Sequence, residues 1–223
     1  MTFREYPDRE LMMLAVADRI ASDLGQFLRR GEPASLCLPG GTTPGPVYDT
    51  LSGVDLDWSR VTVLPGDERC VPADSPRSNA RLLRARLLTG RAAAARFLPL
   101  SLPEPDEAGA LDRLCDAVRP HLPLSVVMLG MGEDMHTASL FPGGDRLAEA
   151  LSPAAPPVVV MRAPGVPEPR VTLTAPVLAG AMHVHLVILG SAKRAALDRA
   201  RGLDASVAPV RAVLDNATVH WAE

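Results

Sequence analysis

The sequence predicts an α/β protein: a doubly wound, mostly parallel sheet with helices on both faces. Short continuous apolar runs alternate with stretches of helical periodicity, the pattern left by strands buried on both faces. The runs are Ala34–Leu38, Val61–Leu64, Phe97–Leu100, Ser125–Leu129, Val158–Met161 and Val184–Leu189. Several lead into glycine-rich or charged turns, and in such sheets ligand sites form at the carboxyl ends of the strands.

Residues from about 8 to 30 carry Leu11, Leu14, Ala15, Ile20, Leu24, Phe27 and Leu28 at helical spacing, so a long helix opens the chain. The strand Ala34–Leu38 then meets Pro39-Gly-Gly-Thr-Thr-Pro44. Thr43 suits the N-cap of a helix and Pro44 its first residue, since the cap oxygen serves a free backbone donor and proline has none to lose. Val47, Tyr48 and Leu51 fall on one face of that helix, and Gly53 can end it. Such a strand-turn-helix is either an ordinary connection or an anion site built on free N–H groups.

A third helix is expected from about Ser75 to Leu88, with Arg77, Arg81, Arg84 and Arg86 as its solvated face, and a fourth over Glu104–Val118. Ser125–Leu129 is the clearest buried strand and ends at Gly130-Met-Gly132. The proline-rich Ser152–Pro169 reads as a loop or insertion. Gly190 follows the run Val184–Leu189, Ser191 to about Arg201 reads as helix, and Ala217–Trp221 as an edge strand. No linker divides the chain, so residues 1–223 are expected to form a single domain.

With 23 Lys and Arg against 26 Asp and Glu, the net charge is −3, which argues against nucleic acid as a partner. Cys37, Cys70 and Cys115 are odd in number and lack metal-type spacing, as expected of reduced thiols. The N-terminus has no apolar core of the signal-peptide type, and no run approaches the length that spans a bilayer. A cytoplasmic location and no membrane partner are expected.

Four polar clusters follow apolar runs: Gly40–Thr43, Asp67–Arg69, Glu133–His136 and Ser191–Lys193. His136 can be a general base, because Asp134 can hold one ring nitrogen and leave the other as an acceptor. It can equally be a loop histidine bonded to a carbonyl. Asp67, Glu68 and Arg69 are either a ligand site or an ion pair that ties loops together. Lys193 and Arg194 lie in the first turn of a helix, the wrong end for cations unless an anion is bound there. His183 and His185 share one face of a strand, but no acidic or cysteine partner lies near them in sequence, so metal binding is disfavoured. The serine nucleophile elbow and the dinucleotide glycine fingerprint are both missing.

Taken in order, these motifs resemble the 6-phosphogluconolactonase family, part of a larger group that includes the glucosamine-6-phosphate deaminases. The matching residues are Gly40-Gly-Thr-Thr-Pro44, Asp67-Glu-Arg69 with Val71-Pro72, and Ser78-Asn79. They continue through Gly130-Met-Gly132, Asp134, His136-Thr-Ala-Ser-Leu-Phe-Pro142, Pro169-Arg-Val-Thr-Leu-Thr174 and Gly190-Ser-Ala-Lys193. The resemblance implies the Rossmann-like sheet of the sugar-phosphate isomerase and deaminase type. It also implies hydrolysis of 6-phospho-glucono-1,5-lactone to 6-phosphogluconate in the oxidative pentose phosphate route. By that resemblance His136, Asp134, Asp67 and Arg69 are the catalytic candidates, with His136 as the base and Asp67 and Arg69 at the sugar end. Gly40, Gly41, Thr42, Thr43, Arg170 and Lys193 would hold the substrate and its phosphate. Neither a metal nor a cofactor is implied, and the partner is a small sugar-phosphate lactone bound by a monomer or homodimer.

Two departures stand out. Met135 occupies the place where the family usually has glycine, so a changed loop or an apolar cover over the site is expected. Pro39 replaces a small residue before the glycines. Rival readings are a deaminase and a non-catalytic sugar-phosphate sensor. The deaminase carries a glutamate five residues after the histidine, where this chain has Phe141, and a sensor would add a DNA-binding segment, of which neither terminus shows a helix-turn-helix pattern.

Overall fold

The structure, a computed structural model, describes residues 1–102 and 104–223. The chain opens with β1 (Thr2–Glu5) and α1 (Arg9–Arg29), then β2 (Ala34–Leu38), α2 (Gly45–Ser52), β3 (Val61–Pro65), β4 (Asp67–Arg69) and α3 (Asn79–Arg86). It continues through β5 (Arg96–Phe97), α4 (Ala110–Val118), β6 (Val126–Leu129), α5 (Leu147–Leu151), β7 (Val158–Met161), β8 (Arg170–Leu173) and α6 (Ala175–Ala179). The last elements are β9 (His183–Leu189), α7 (Gly190–Ala200), α8 (Arg211–Leu214) and β10 (Ala217–Ala222).

Seven strands form one sheet in the order β1-β10-β9-β6-β2-β3-β5. Every pairing in it is parallel. Side chains alternate between its faces, as a period of two requires. Leu36, Leu38, Val63, Met128 and Val187 pack with α1, α2 and α3. Cys37, Leu64, Val127, Leu129 and Leu186 point the other way and pack with α4, α6, α7 and α8. The doubly wound architecture is therefore the expected one.

The first helix begins one residue later than expected, capped by Asp8, which accepts the Leu11 N–H at 2.8 Å. Its buried face differs from the expected one. Met12, Met13, Val16, Ala17, Ile20 and Leu24 are buried, whereas Leu11 and Leu14 are 51% and 55% exposed. Leu11 lies nine residues before Ile20, which at about 100° per residue is the opposite side of the helix.

Three further expectations are corrected. Ala217–Trp221 is not at the edge: β1, whose Thr-Phe-Arg-Glu sequence carries no apolar alternation, pairs outside it. Val158–Met161 interrupts the proline-rich segment as a strand and belongs to a second, antiparallel sheet of order β4-β8-β7. The charged Asp67–Arg69 is the outer strand of that sheet, not a turn. Helices are also shorter than their periodic stretches: α3 is confined to Asn79–Arg86 behind a Ser78 cap, and residues 104–109 are turns rather than the start of α4. Among the described residues, no helix is long and apolar enough to cross a membrane.

Candidate active site

The chain leaves β2 toward β3 and β5, then returns as β6 on the opposite side of β2. The crevice between β2 and β6 is the switch point of the sheet, where the segments after two neighbouring strands diverge and open a space. A cleft of about 430 Å³ lies there. The turn after β2 contributes Gly40, Gly41 and Thr43, and the loop after β6 contributes Gly132 and His136. The small sheet supplies Asp67, Arg69 and Arg170, and α7 supplies Lys193. All four polar clusters meet in this one place.

Asp134 Oδ1 lies 2.5 Å from His136 Nδ1 and also accepts the His136 backbone N–H at 3.3 Å. The carboxylate fixes the tautomer with the proton on Nδ1, which leaves Nε2 as an acceptor. The imidazole is about one-third exposed, and Asp134 stands behind it, outside the cleft lining. Gly132 makes the pair possible: a Cβ there would begin 2.3 Å from both Asp134 Oδ1 and His136 Nδ1.

Met135 holds left-handed backbone, the region that glycine favours, with φ 67°. Its N–H donates to the Gly132 carbonyl and its own carbonyl accepts the Val210 N–H, each at 3.0 Å. The side chain packs against the core beside the site and does not line the cleft. Met135 therefore does not form the expected apolar cover over the cleft.

Strand alternation divides the Asp67–Arg69 triplet. Glu68 faces away from the cleft and is buried. It accepts the Asn79 and Ala80 N–H groups at 2.8 and 2.7 Å and so anchors the start of α3. Asp67 and Arg69 share the opposite face and both line the cleft.

Arg69 and Arg170 are direct cross-strand partners. Like charges so placed repel, and the Nε of each is buried without a hydrogen-bond partner among the described residues. Burial first, then the Arg69 charge, lowers the pKa of the Arg170 guanidinium, while Asp67 and Glu168 act in the opposite sense. The arrangement is a positive wall whose unsatisfied donors suit an anion.

Lys193 borders the cleft in the first turn of α7, and among the described residues it forms no ion pair. Arg194 turns away, pairing with Glu5 at 3.3 Å and lying over the Phe3 and Trp221 rings. Thr43 borders the cleft but does not cap α2, whose cap is Pro44 without a side-chain bond. Thr42 is exposed and lies outside the cleft lining.

Three residues without an assigned role in the sequence belong to the site. The Phe141 ring lies 4.7 Å from the His136 ring, between centroids, and 5.9 Å from the Arg170 guanidinium. Asn79 fills the space next to Gly40, where a Cβ would start 1.9 Å from its Oδ1. Ser139 is wholly buried and donates to Asp67 at 2.5 Å. Their one shared signal in the sequence is the motif that carries them, because nothing local shows where a buried polar side chain points.

The paired histidines have an acidic partner after all. Asp23 of α1 lies 3.0 Å from His185 Nε2 and 3.8 Å from His183 Nδ1. His185 Nδ1 meets His220 Nε2 at 3.1 Å, and His220 Nδ1 meets the Tyr6 hydroxyl at 2.8 Å. This is a buried hydrogen-bonded chain. Among the described residues, no group of three or more His, Cys, Asp or Glu side chains is arranged to hold a metal ion.

A histidine held by a carboxylate beside a cationic cleft, at the switch point of a parallel sheet, is an arrangement suited to α/β enzyme chemistry on a small anionic molecule. The family described as glucosamine-6-phosphate isomerases/6-phosphogluconolactonase matches residues 7–221, and the chain belongs to it. A 6-phosphogluconolactonase of Rhizobium meliloti is 43% identical, over 93% of this chain and 93% of its own. That of Pseudomonas aeruginosa is 41% identical, over 92% and 88%. The crystal structure of a 6-phosphogluconolactonase from Shewanella baltica superposes with a TM-score of 0.94 at 31% identity, covering 100% of this chain and 98% of that one.

Proposed function

We propose that the chain hydrolyses 6-phospho-D-glucono-1,5-lactone to 6-phospho-D-gluconate, the lactone-opening step of the oxidative pentose phosphate route. The reading rests on relatives of that name across nearly the whole chain, and on one observation of its own: His136 Nε2 is left free by Asp134 in a cleft it shares with Arg69, Arg170 and Lys193. Phe141 lies against the imidazole where the deaminase reading needs a carboxylate, so the lactonase is favoured.

A lactone carbonyl is already electrophilic, so a base and a water suffice. His136 Nε2 takes a proton from water as the water oxygen attacks the carbonyl carbon. The tetrahedral intermediate carries an oxyanion, for which the Arg69 guanidinium in the cleft wall is a donor. When the ring C–O bond breaks, the departing oxygen receives the proton held by His136. Lys193, Arg170, Gly41 and Thr43 bind the phosphoryl group, and that remote anchor holds the ring against the base. The enzyme acts in the cytoplasm, as a monomer or homodimer.

Lactone opening measured as acid release, with spontaneous hydrolysis subtracted, tests this. His136→Ala is expected to lower kcat by about 10²–10⁴-fold. Asp134→Asn, which no longer fixes the tautomer, is expected to lower it by at least about 10-fold. A His136→Ala enzyme with wild-type kcat overturns the assignment.

A further inference from the structure

We propose that Asp67 is a positioning residue: its carboxylate sets the place of the general base and does not itself react. The proposal rests on the lactonase reading of His136. Asp67 is buried in the cleft wall. Its Oδ2 accepts the Ser139 hydroxyl at 2.5 Å, three residues beyond His136. The Ser139 N–H donates to Thr172 Oγ1 at 3.2 Å, and Thr172 is the cross-strand partner of Asp67. Two adjacent residues of the small sheet thus grip both polar groups of one loop residue.

The other oxygen is engaged as well. Asn79 Nδ2 lies 3.4 Å from Asp67 Oδ1 and donates to the Asp67 backbone carbonyl at 2.8 Å. Asn79 in turn packs against Gly40. One carboxylate therefore joins the His136 loop to the glycine turn, with Arg170 Nη1 at 3.9 Å balancing its charge. An acid or base that exchanges a proton with substrate needs a lone pair aimed at it, and here the oxygens are aimed at protein donors.

The loop needs such an anchor. Met135 and Ala138 hold left-handed backbone at φ 67° and φ 48°, and strain of that kind persists only where surroundings over-determine it. Released from Ser139, the loop relaxes and carries the imidazole with it. A displacement of about 1 Å can cost 10²-fold in rate.

A double-mutant cycle decides the matter, with kcat and KM measured for Ser139→Ala, Asp67→Asn and the double variant, and thermal melts to establish folding. Positioning predicts that each single variant loses about 10-fold or more in kcat with KM changed less than about threefold. It also predicts that the double variant is no worse than the poorer single, since both break one link. If Ser139→Ala stays within about twofold of wild type while Asp67→Asn fails, Asp67 meets the substrate itself and the proposal falls. NMR of the His136 ring in the free protein reads the same link without turnover. A common change of the ring resonances in both variants supports the proposal, and an unchanged ring overturns it. Ser139→Ala supplies this readout alone should Asp67→Asn not fold. A wild-type enzyme without lactonase activity would instead sink the functional reading.

Discussion

Gly132 and His136 occupy adjoining space so closely that a methyl group on the first would begin 2.3 Å from Nδ1 of the second. The glycine is required for its missing side chain, since the imidazole and the Asp134 carboxylate fill the volume that a Cβ would take. Gly132→Ala is therefore expected to separate the pair and lower kcat by about 10²-fold, the scale of a 1 Å misplacement. The global fold should survive, because the clash is with two partly exposed side chains rather than with the core. Steady-state kinetics beside a thermal melt tests this, and unchanged kcat would show that the pair tolerates displacement.

Lys193 and Arg194 are neighbours in α7 that face different surroundings. Lys193→Ala is expected to raise KM about 10-fold or more with a smaller change in kcat, since a phosphate contact serves ground and transition states alike. Arg194→Ala loses its contacts to Glu5, Phe3 and Trp221 and should leave KM unchanged. Initial-rate measurements on both variants separate the two roles, and equal effects on KM would contradict the assignment.

Met135 tests backbone strain. A non-glycine residue in left-handed backbone costs about 1–3 kcal/mol, and glycine adds back about 1 kcal/mol through its unfolded-state entropy. Met135→Gly should keep kcat within about threefold and leave Tm unchanged or somewhat raised, as the relief of strain equals or exceeds the entropy cost. Met135→Val should lower both, since a β-branched residue is poorly tolerated at positive φ. Calorimetry with activity assays checks the pair.

The Tyr6–His220–His185–Asp23 chain makes stability depend on pH. Burial, then the neighbouring His185, holds the His220 pKa down to about 3. Unfolded, it returns to about 6.5. Between these values the unfolded state binds the extra proton, so this contribution to stability is complete above about pH 6.5 and is lost as pH falls toward 3. Burial alone would raise the pKa of Asp23, but the His185 hydrogen bond and the charges of His183, His185 and Arg19 leave it below the ordinary carboxylate range. Its contribution is lost at lower pH, below about 4. Tm followed from pH 7 to 4 should fall less steeply for His220→Gln than for the wild type. Parallel curves would remove His220 as the cause.

Much of this architecture was legible because it is written in local periodicity. The buried runs at Ala34–Leu38, Val61–Leu64 and Ser125–Leu129 have no polar face to hide, and they became β2, β3 and β6. Thr2–Glu5 escaped notice because a half-exposed edge strand needs no apolar pattern. The face of α1 was misplaced because Leu11 and Leu14 are apolar yet exposed, and a residue list at loose helical spacing does not say which side meets the sheet. Val158–Met161 was legible as a strand, but no run of valines announces which sheet it will join.

Sequence alone determined the main buried strands and the longer helices, the polar clusters that follow them, and the family to which their sequence of motifs belongs. Those properties depend on neighbours within a few residues. Only the tertiary structure decided that Asp67 reaches Ser139 across 72 positions, that Arg69 stands opposite Arg170, and that Asp23 of the first helix meets His185 in a late strand. Such contacts arise when the switch point and the small sheet bring distant segments within hydrogen-bond range, and a hydrogen bond extends about 3 Å in space whatever the separation along the chain.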